Sequence, residues 1–228
     1  MQRRKFMSGM AAASALGALA AGIEAHAGGV SEGDAALGVR AALERGAVAA
    51  VGLLGQSGGF LDNPKVRIEL PGYLREAAKL LEFTGQRGRI DELVTAMNRA
   101  AEAAVPEARA LLVSAVKAMS VKDALGVVSG GATSATDFFA GKTRAPLSQR
   151  FLPIVTRATQ KVSLAAKYNS VAGKAADFGL LGKDDANIEK YVTGKALDGL
   201  YLMIGEEERK IRADPLGTGS AILKKVFG

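Results

Sequence analysis

The chain has no cysteine, no tryptophan and a single histidine, His26, among 228 residues. Without cysteine there are no disulfides, zinc–thiolate sites, cysteine nucleophiles or cysteine-linked lipid anchors. His26 falls within a segment that reads as a leader peptide. Once that leader is removed no imidazole remains, which excludes Ser-His-Asp and Cys-His catalysis and histidine metal sites together. Aromatic residues make up 5% of the chain, too few for the stacking platforms that bind sugars or single-stranded nucleic acid. No recognition helix stands out, so nucleic acid is not an expected partner. No catalytic residue, metal ligand or cofactor motif can be assigned.

What is present begins with residues 1–27. Arg3, Arg4 and Lys5 form a positive n-region, Met7 to Ile23 is apolar, and Ala25-His26-Ala27 is a small-x-small cleavage signal. Gly and Ser interrupt the apolar run, which favours a cleaved signal peptide over a retained transmembrane anchor. The string Arg3-Arg4-Lys5-Phe6-Met7 resembles a twin-arginine signal, with Gln2 where Ser or Thr is usual. Twin-arginine and general export are both open, and a periplasmic location is expected by either route. The mature chain, residues 28–228, has a length that fits one domain. Loss of Arg3, Arg4, Lys5 and Glu24 takes the formal charge from +7 to +5. In an exported protein such an excess points to a lipid surface or an acidic envelope polymer before nucleic acid.

The mature chain reads as all-α, an irregular multi-helix bundle of roughly eight to ten mostly short helices around a buried C-terminal helix. That hub spans Asp185 to Pro215. Ile188, Val192, Ala196, Leu200 and Met203 follow helical spacing, with Leu197, Tyr201 and Ile204 on the neighbouring face. Asp185 is the expected N-cap, and Pro215 ends the helix by pushing Asp214 out of helical geometry. Upstream, Ser31 with Asp34 opens a helix that Gly55 ends. Residues 55–72 carry turn chemistry and then an alternation of Val66, Ile68 and Leu70 with Arg67 and Glu69, an extended segment lying on the helices. Phe60 and Leu61 are expected to plug a core gap. Further helices are expected over Tyr73–Phe83, Ile90–Val105, Glu107–Met119 and Ser120–Val128, the last opened by Ser120 with Asp123 as a capping box. Others start at Ser134 with Asp137 as its cap partner and at Leu147, the latter kinked at Pro153. Tyr168–Gly182 reads as weakly helical, and Ile222–Phe227 as a short amphipathic tail.

Several strings together resemble a bacterial family catalogued as a domain of unknown function, number 4197. They are Gly58-Gly59-Phe60-Leu61 with Asn63-Pro64, Val66-Arg67-Ile68 before Leu70-Pro71, AMNRAAEAAVPEA from Ala96 to Ala108, and Phe138-Phe139 before Lys142-Thr143. Phe151-Leu152-Pro153, Tyr168-Asn169, YVTGKALDGLYLMIGEEERKIRADP and Val226-Phe227-Gly228 complete the set. The resemblance covers roughly Asp34 to Gly228. It implies a helical exported protein and brings neither an activity nor a catalytic residue.

Candidate ligand-binding residues come from polar groups set in apolar surroundings. Asp198 sits inside ALDGLYLMI and, if buried, needs a partner, for which Lys195 is placed one turn earlier. Gly199 beside it offers close approach to another helix. Asn98 and Arg99 lie on an Ala-rich helix. Asn98 can take a polar ligand or bond a neighbouring loop such as Gly55–Asn63, and Arg99 can pair with Glu102. Arg150, Arg157 and Lys161, with Lys142 and Arg144 nearby, form a basic stripe suited to anionic headgroups or acidic polymers, or simply to water. Glu206-Glu207-Glu208 is the densest carboxylate cluster, but Glu206–Lys210 and Glu208–Arg212 spacing suits helical ion pairs on a solvated face. The Gly130-Gly131 cluster before Ser134 reads as turn punctuation first, and as an anion site at a helix N-terminus only second. Three function classes follow. The first is a non-enzymatic periplasmic binder of an envelope lipid, acidic ligand or protein partner. The second is a structural or assembly protein of the envelope, and the third a carboxylate-based hydrolase.

Overall fold

The computed structural model describes residues 31–72, 74, 75, 87–161, 165, 166, 168, 169 and 187–214. The leader, most of the helices expected over Tyr73–Phe83 and Tyr168–Gly182, and the tail Ile222–Phe227 lie outside the described residues. Among the described residues six α-helices have defined ends and there is no strand. They are α1 (Glu32–Leu54), α2 (Arg87–Ala104), α3 (Ala108–Lys117), α4 (Val121–Ser129), α5 (Ser134–Thr159) and α6 (Ile188–Ala213), with a 3-10 turn, Val105–Glu107, between α2 and α3. The class is all-α as expected. Helices α1, α5 and α6 are each longer than 20 residues, so the expectation of mostly short helices is corrected.

Helix α6 is the hub. Leu200 and Ile188 are fully buried, as are Val192 and Ala196, and Met203 and Ile204 are nearly so. It packs against α5, α1 and α2. Asn187, rather than Asp185, caps it, its side chain accepting from the Lys190 amide. The helix ends at Ala213, where Asp214 leaves helical geometry at φ −138° and ψ 77°. Lys210 and Arg212 lie in the last turn, where the helix dipole favours cations.

Other ends follow local chemistry. Ser31 caps α1 by accepting from the Asp34 amide at 3.0 Å, and Gly55 closes it. Ser120 and Asp123 form a complete capping box on α4. Burial has little part in the lowered carboxyl pKa of Asp123, which comes chiefly from its hydrogen bond with the Ser120 side chain.

The segments expected to start at Ser134 and Leu147 are one continuous helix, α5. Pro146 and Pro153 both lie inside it. An interior proline costs about 3 kcal/mol in an isolated helix. Here Phe139, Leu147, Phe151 and Val155 are fully buried on its inner side, and that packing carries the helix through both prolines. Neither does Ser134 cap α5. It is the first helical residue, and its hydroxyl is turned to the carbonyls of Val127 and Gly131.

Residues 55–71 form an irregular strap over α2 and α6. Gly58 has φ +85°, a backbone state that side-chain-bearing residues rarely adopt. Phe60 is fully buried, as expected of a plug, and Val66, Ile68 and Leu70 face inward while Arg67 and Glu69 face out. Gly199 on α6 is where the strap comes closest. A Cβ there would stand 2.8 Å from Phe60 Cε1 and 3.2 Å from Val66 Cβ. The close approach that Gly199 permits is therefore by this strap, not by another helix.

Candidate functional site

The buried polar groups resolve first, because each has a defined structural task. Asn98 is fully buried. Its Oδ1 accepts from the Ile68 amide at 2.8 Å, and its Nδ2 donates to the Ile68 carbonyl at 2.9 Å and to the Val94 carbonyl at 2.8 Å. The carboxamide thus gives the extended strap the two bonds that a neighbouring strand would supply. The loop reading of Asn98 holds, with Ile68 as partner instead of a residue in Gly55–Asn63.

One turn on, Glu102 accepts from the amides of Phe60 and Leu61, both at 3.1 Å, and from Arg99 Nη1 at 2.6 Å. Arg99 also donates to Ser57 Oγ at 2.8 Å. Burial pushes the Glu102 carboxyl up, but bonds from Leu61, Arg99 and Phe60 outweigh it and hold the pKa below the usual value. Asn98 and Arg99 are therefore occupied in holding the strap to α2.

The carboxylate cluster splits three ways. Glu206 pairs with Lys65 on the strap at 2.6 Å and lies 3.8 Å from Arg209, not against Lys210. The Lys65 bond lowers its pKa. Glu207 takes Lys210 at 2.6 Å, which raises the lysine. Glu208 is buried and pairs with Arg212 at 2.9 Å as its spacing implied, but it is not on a solvated face. Its carboxylate accepts from the amides of Ala135 and Thr136 at 3.1 and 3.0 Å and from Thr136 Oγ1 at 3.0 Å. Thr133 makes no side-chain cap, so α5 is capped from α6. Arg212 Nη2 completes the corner with the Val127 carbonyl at 2.8 Å and Ser134 Oγ at 2.9 Å. The helix N-terminus beyond Gly130-Gly131, read chiefly as turn punctuation, has its first amides taken by the chain's own carboxylate. The third buried carboxylate, Glu189, accepts from Asn169 Nδ2 at 2.8 Å and from Thr159 Oγ1 at 3.4 Å.

Asp198 proves half-exposed, and its main partner is not the expected Lys195. Arg144 Nη2 lies 2.6 Å from Asp198 Oδ1, and Lys195 Nζ is 3.8 Å from Oδ2. The Arg144 guanidinium stands over the Tyr201 ring, 5.8 Å from its centroid. Tyr201 shares a 2.9 Å hydrogen bond with Thr143 Oγ1, and burial raises its phenol.

Arg144 borders a groove between α5 and α6 of about 560 Å³. Ala140, Gly141, Ala145, Ser148 and Leu152 line it from α5, and Lys190, Thr193, Gly194 and Leu197 from α6. Sequence reasoning missed Ser148, Lys190 and Thr193. The available signal was Gly141, Ala145 and Gly194, small residues on two packed helices that leave room where larger ones would interdigitate. By contrast, the apolar crevice at Val39, Leu43, Val127, Ile204 and Ile211 has room for about 20 Å³, near the size of one water, and takes no acyl chain.

Arg150 and Arg157 are exposed on α5, and Lys161 is exposed just beyond its end. They do not line the groove. None of the three has an ion pair or hydrogen bond among the described residues. The expected stripe is therefore divided, with Arg144 turned to Asp198 and Tyr201 and the other three facing solvent. Among the described residues no helix is long and apolar enough to cross a membrane, and no group of three or more Asp or Glu side chains is placed to hold a metal.

No curated protein and no solved structure matches the chain. A family model does match, over residues 29–228, and the chain belongs to that family, described as a protein of unknown function, DUF4197.

Proposed function

We propose that this is an exported, non-enzymatic binding protein of the cell envelope, which engages an anionic surface through the outward cations of α5. One observation carries the reading. Helix α5 contains Lys142, Arg144, Arg150 and Arg157 against the single carboxylate Asp137, and Arg150, Arg157 and the adjacent Lys161 are exposed and unpaired among the described residues. Lys65, Arg67, Arg99, Arg144, Lys210 and Arg212 have carboxylate partners, and the other exposed cations with no ion pair among the described residues include Arg109 and Lys117 on α3 and Lys122 on α4. A cation near an anionic lipid surface gains about 1 kcal/mol. Three give roughly 3 kcal/mol, a factor of about 150 in affinity. Export rests on the leader-like residues 1–27.

The carboxylate hydrolase reading, with carboxylates such as Asp198 or Glu206, gains no support, since Asp198 faces Arg144, Glu206 faces Lys65, and Glu102, Glu189 and Glu208 each face donors and not each other. The assembly reading asks for one large exposed apolar patch. Leu37 and Leu53, exposed on α1, are instead separated by about 24 Å of helix.

The test uses protein recovered from cells that express the full chain, its N-terminus mapped by mass, with Gly28 expected first. Co-sedimentation with phosphatidylcholine vesicles is compared with and without about 30% phosphatidylglycerol. Binding only to the anionic vesicles is expected, lost in about 0.5 M salt as screening shortens to a few ångströms. It should also be lost in the triple variant R150E/R157E/K161E. Equal binding to neutral vesicles, or an unaffected triple variant, refutes the proposal.

A further inference from the structure

Three of the four threonines of α5 show the bond open to a helix hydroxyl whatever other partners it has. Thr143, Thr156 and Thr159 each return a bond to the carbonyl one turn back, at 2.7, 2.8 and 3.0 Å. Thr193 on α6 is 2% exposed, yet its Oγ1 has no hydrogen-bond partner. A buried hydroxyl without a partner is destabilising, and such groups are rare enough to need a reason. Thr193 lines the α5–α6 groove.

The other walls say what would satisfy it. Arg144 and Lys190 border the groove, no carboxylate is among its described lining residues, and Ser148 adds a second hydroxyl. Asp198 engages only Nη2 of Arg144, which leaves further guanidinium donors for a planar anion. Leu152 and Leu197 supply apolar wall, and the volume falls within the range of small-molecule sites. We infer that this groove binds a small amphiphilic oxyanion, a carboxylate or phosphate monoester on a short aliphatic chain. The anion meets Arg144, Ser148 and Thr193, and the chain lies on Leu152 and Leu197. The groove excludes Arg150, Arg157 and Lys161, so this inference and the proposed surface function stand or fall separately.

Isothermal titration of the purified protein with hexanoate, hexyl phosphate and hexanol tests it. Saturable binding of at least one of the two anions, with none of hexanol, is expected. Thr193→Val keeps the shape and removes the hydroxyl. It should raise the melting temperature of the free protein while weakening the anion about tenfold. Thr193→Ser should bind as wild type, and R150E/R157E/K161E should keep groove binding. Dihexanoyl phosphatidic acid distinguishes the source: tighter binding than hexyl phosphate marks a lipid headgroup, and weaker binding marks a free ligand. No saturable binding of either hexyl anion, equal binding of hexanol, or undiminished binding by Thr193→Val overturns the inference.

Discussion

Glu208→Ala removes the only side-chain cap that α5 has. The carboxylate accepts from the Ala135 and Thr136 amides, from the Thr136 hydroxyl, and from Arg212 Nε and Nη2 at 3.1 and 2.9 Å. Loss of a helix cap costs about 1 kcal/mol. Hydrogen bonds to a charged group are each worth about 1.5–3 kcal/mol, but those on one carboxylate do not add. Arg212 keeps the Val127 carbonyl and Ser134, so its charge is not stranded. The total should be about 3 kcal/mol, toward the lower end of what breaking a buried ion pair costs. In a domain of this size that is a fall in Tm of roughly 6–12 °C. Urea unfolding followed by far-ultraviolet circular dichroism measures it, with equal m-values confirming that the folded and unfolded states are unchanged. Glu208→Gln keeps the volume and one acceptor and should cost about half as much. Glu207→Ala, which loses only the Lys210 pair, should stay within about 0.5 kcal/mol of wild type. A Glu208→Ala protein as stable as wild type, or a Glu207→Ala protein equally damaged, would refute capping from α6.

Asn98→Ala leaves the Ile68 amide and carbonyl buried without partners and should cost about 2–4 kcal/mol by urea unfolding. Amide exchange at Ile68 should accelerate more than exchange at Leu200. Glu102 has a depressed folded pKa, so its contribution is fully present above the ordinary value of 4.5 and is lost as pH falls through the lower folded value. Stability measured from pH 7 to pH 3 should therefore drop less steeply in Glu102→Gln than in wild type, and parallel curves would count against the strap bond. Gly199→Ala places a methyl 2.8 Å from Phe60 and should cost about 1–3 kcal/mol by overpacking. Full wild-type stability would mean the strap yields there.

The hub was legible because eight apolar residues from Ile188 to Ile204 repeat at helical spacing, and burial follows that repeat. The Ser31 and Ser120 caps were legible because both partners lie within four residues. Four features were not. The continuity of α5 through Pro146 and Pro153 depends on packing that local propensity cannot register. The cap of α5 comes from Glu208, more than 70 residues away in sequence, so Ser134 with Asp137 looked sufficient. Whether Asp198 is buried was left open by its apolar neighbours, and it lies on the outer side of α6 opposite Arg144. The groove was hidden for a related reason, since Thr193 reads as an ordinary polar residue until its missing bond is set beside those of Thr143, Thr156 and Thr159.

The uses of the acidic and basic side chains bear on what chemistry is open to the fold. General acid–base catalysis by carboxylates needs two groups whose surroundings drive their pKa values apart, one kept protonated near neutral pH. Among the described residues Glu102 goes the other way, held ionised by the strap it clamps. Glu208 is spent on helix amides and Arg212, and Glu206 on Lys65. Burial raises the phenol of Tyr201, which is bonded to Thr143 and lies under Arg144. A phenol raised by burial is a still poorer base at neutral pH. The carboxylates of this fold brace a strap and two helix ends, while several of its cations are left facing outward. On the reading proposed above, that imbalance suits recognition of an anion, and the groove bordered by Arg144 and Lys190, with no carboxylate among its described lining residues, and the outer face of α5 would take ligands of the same negative charge.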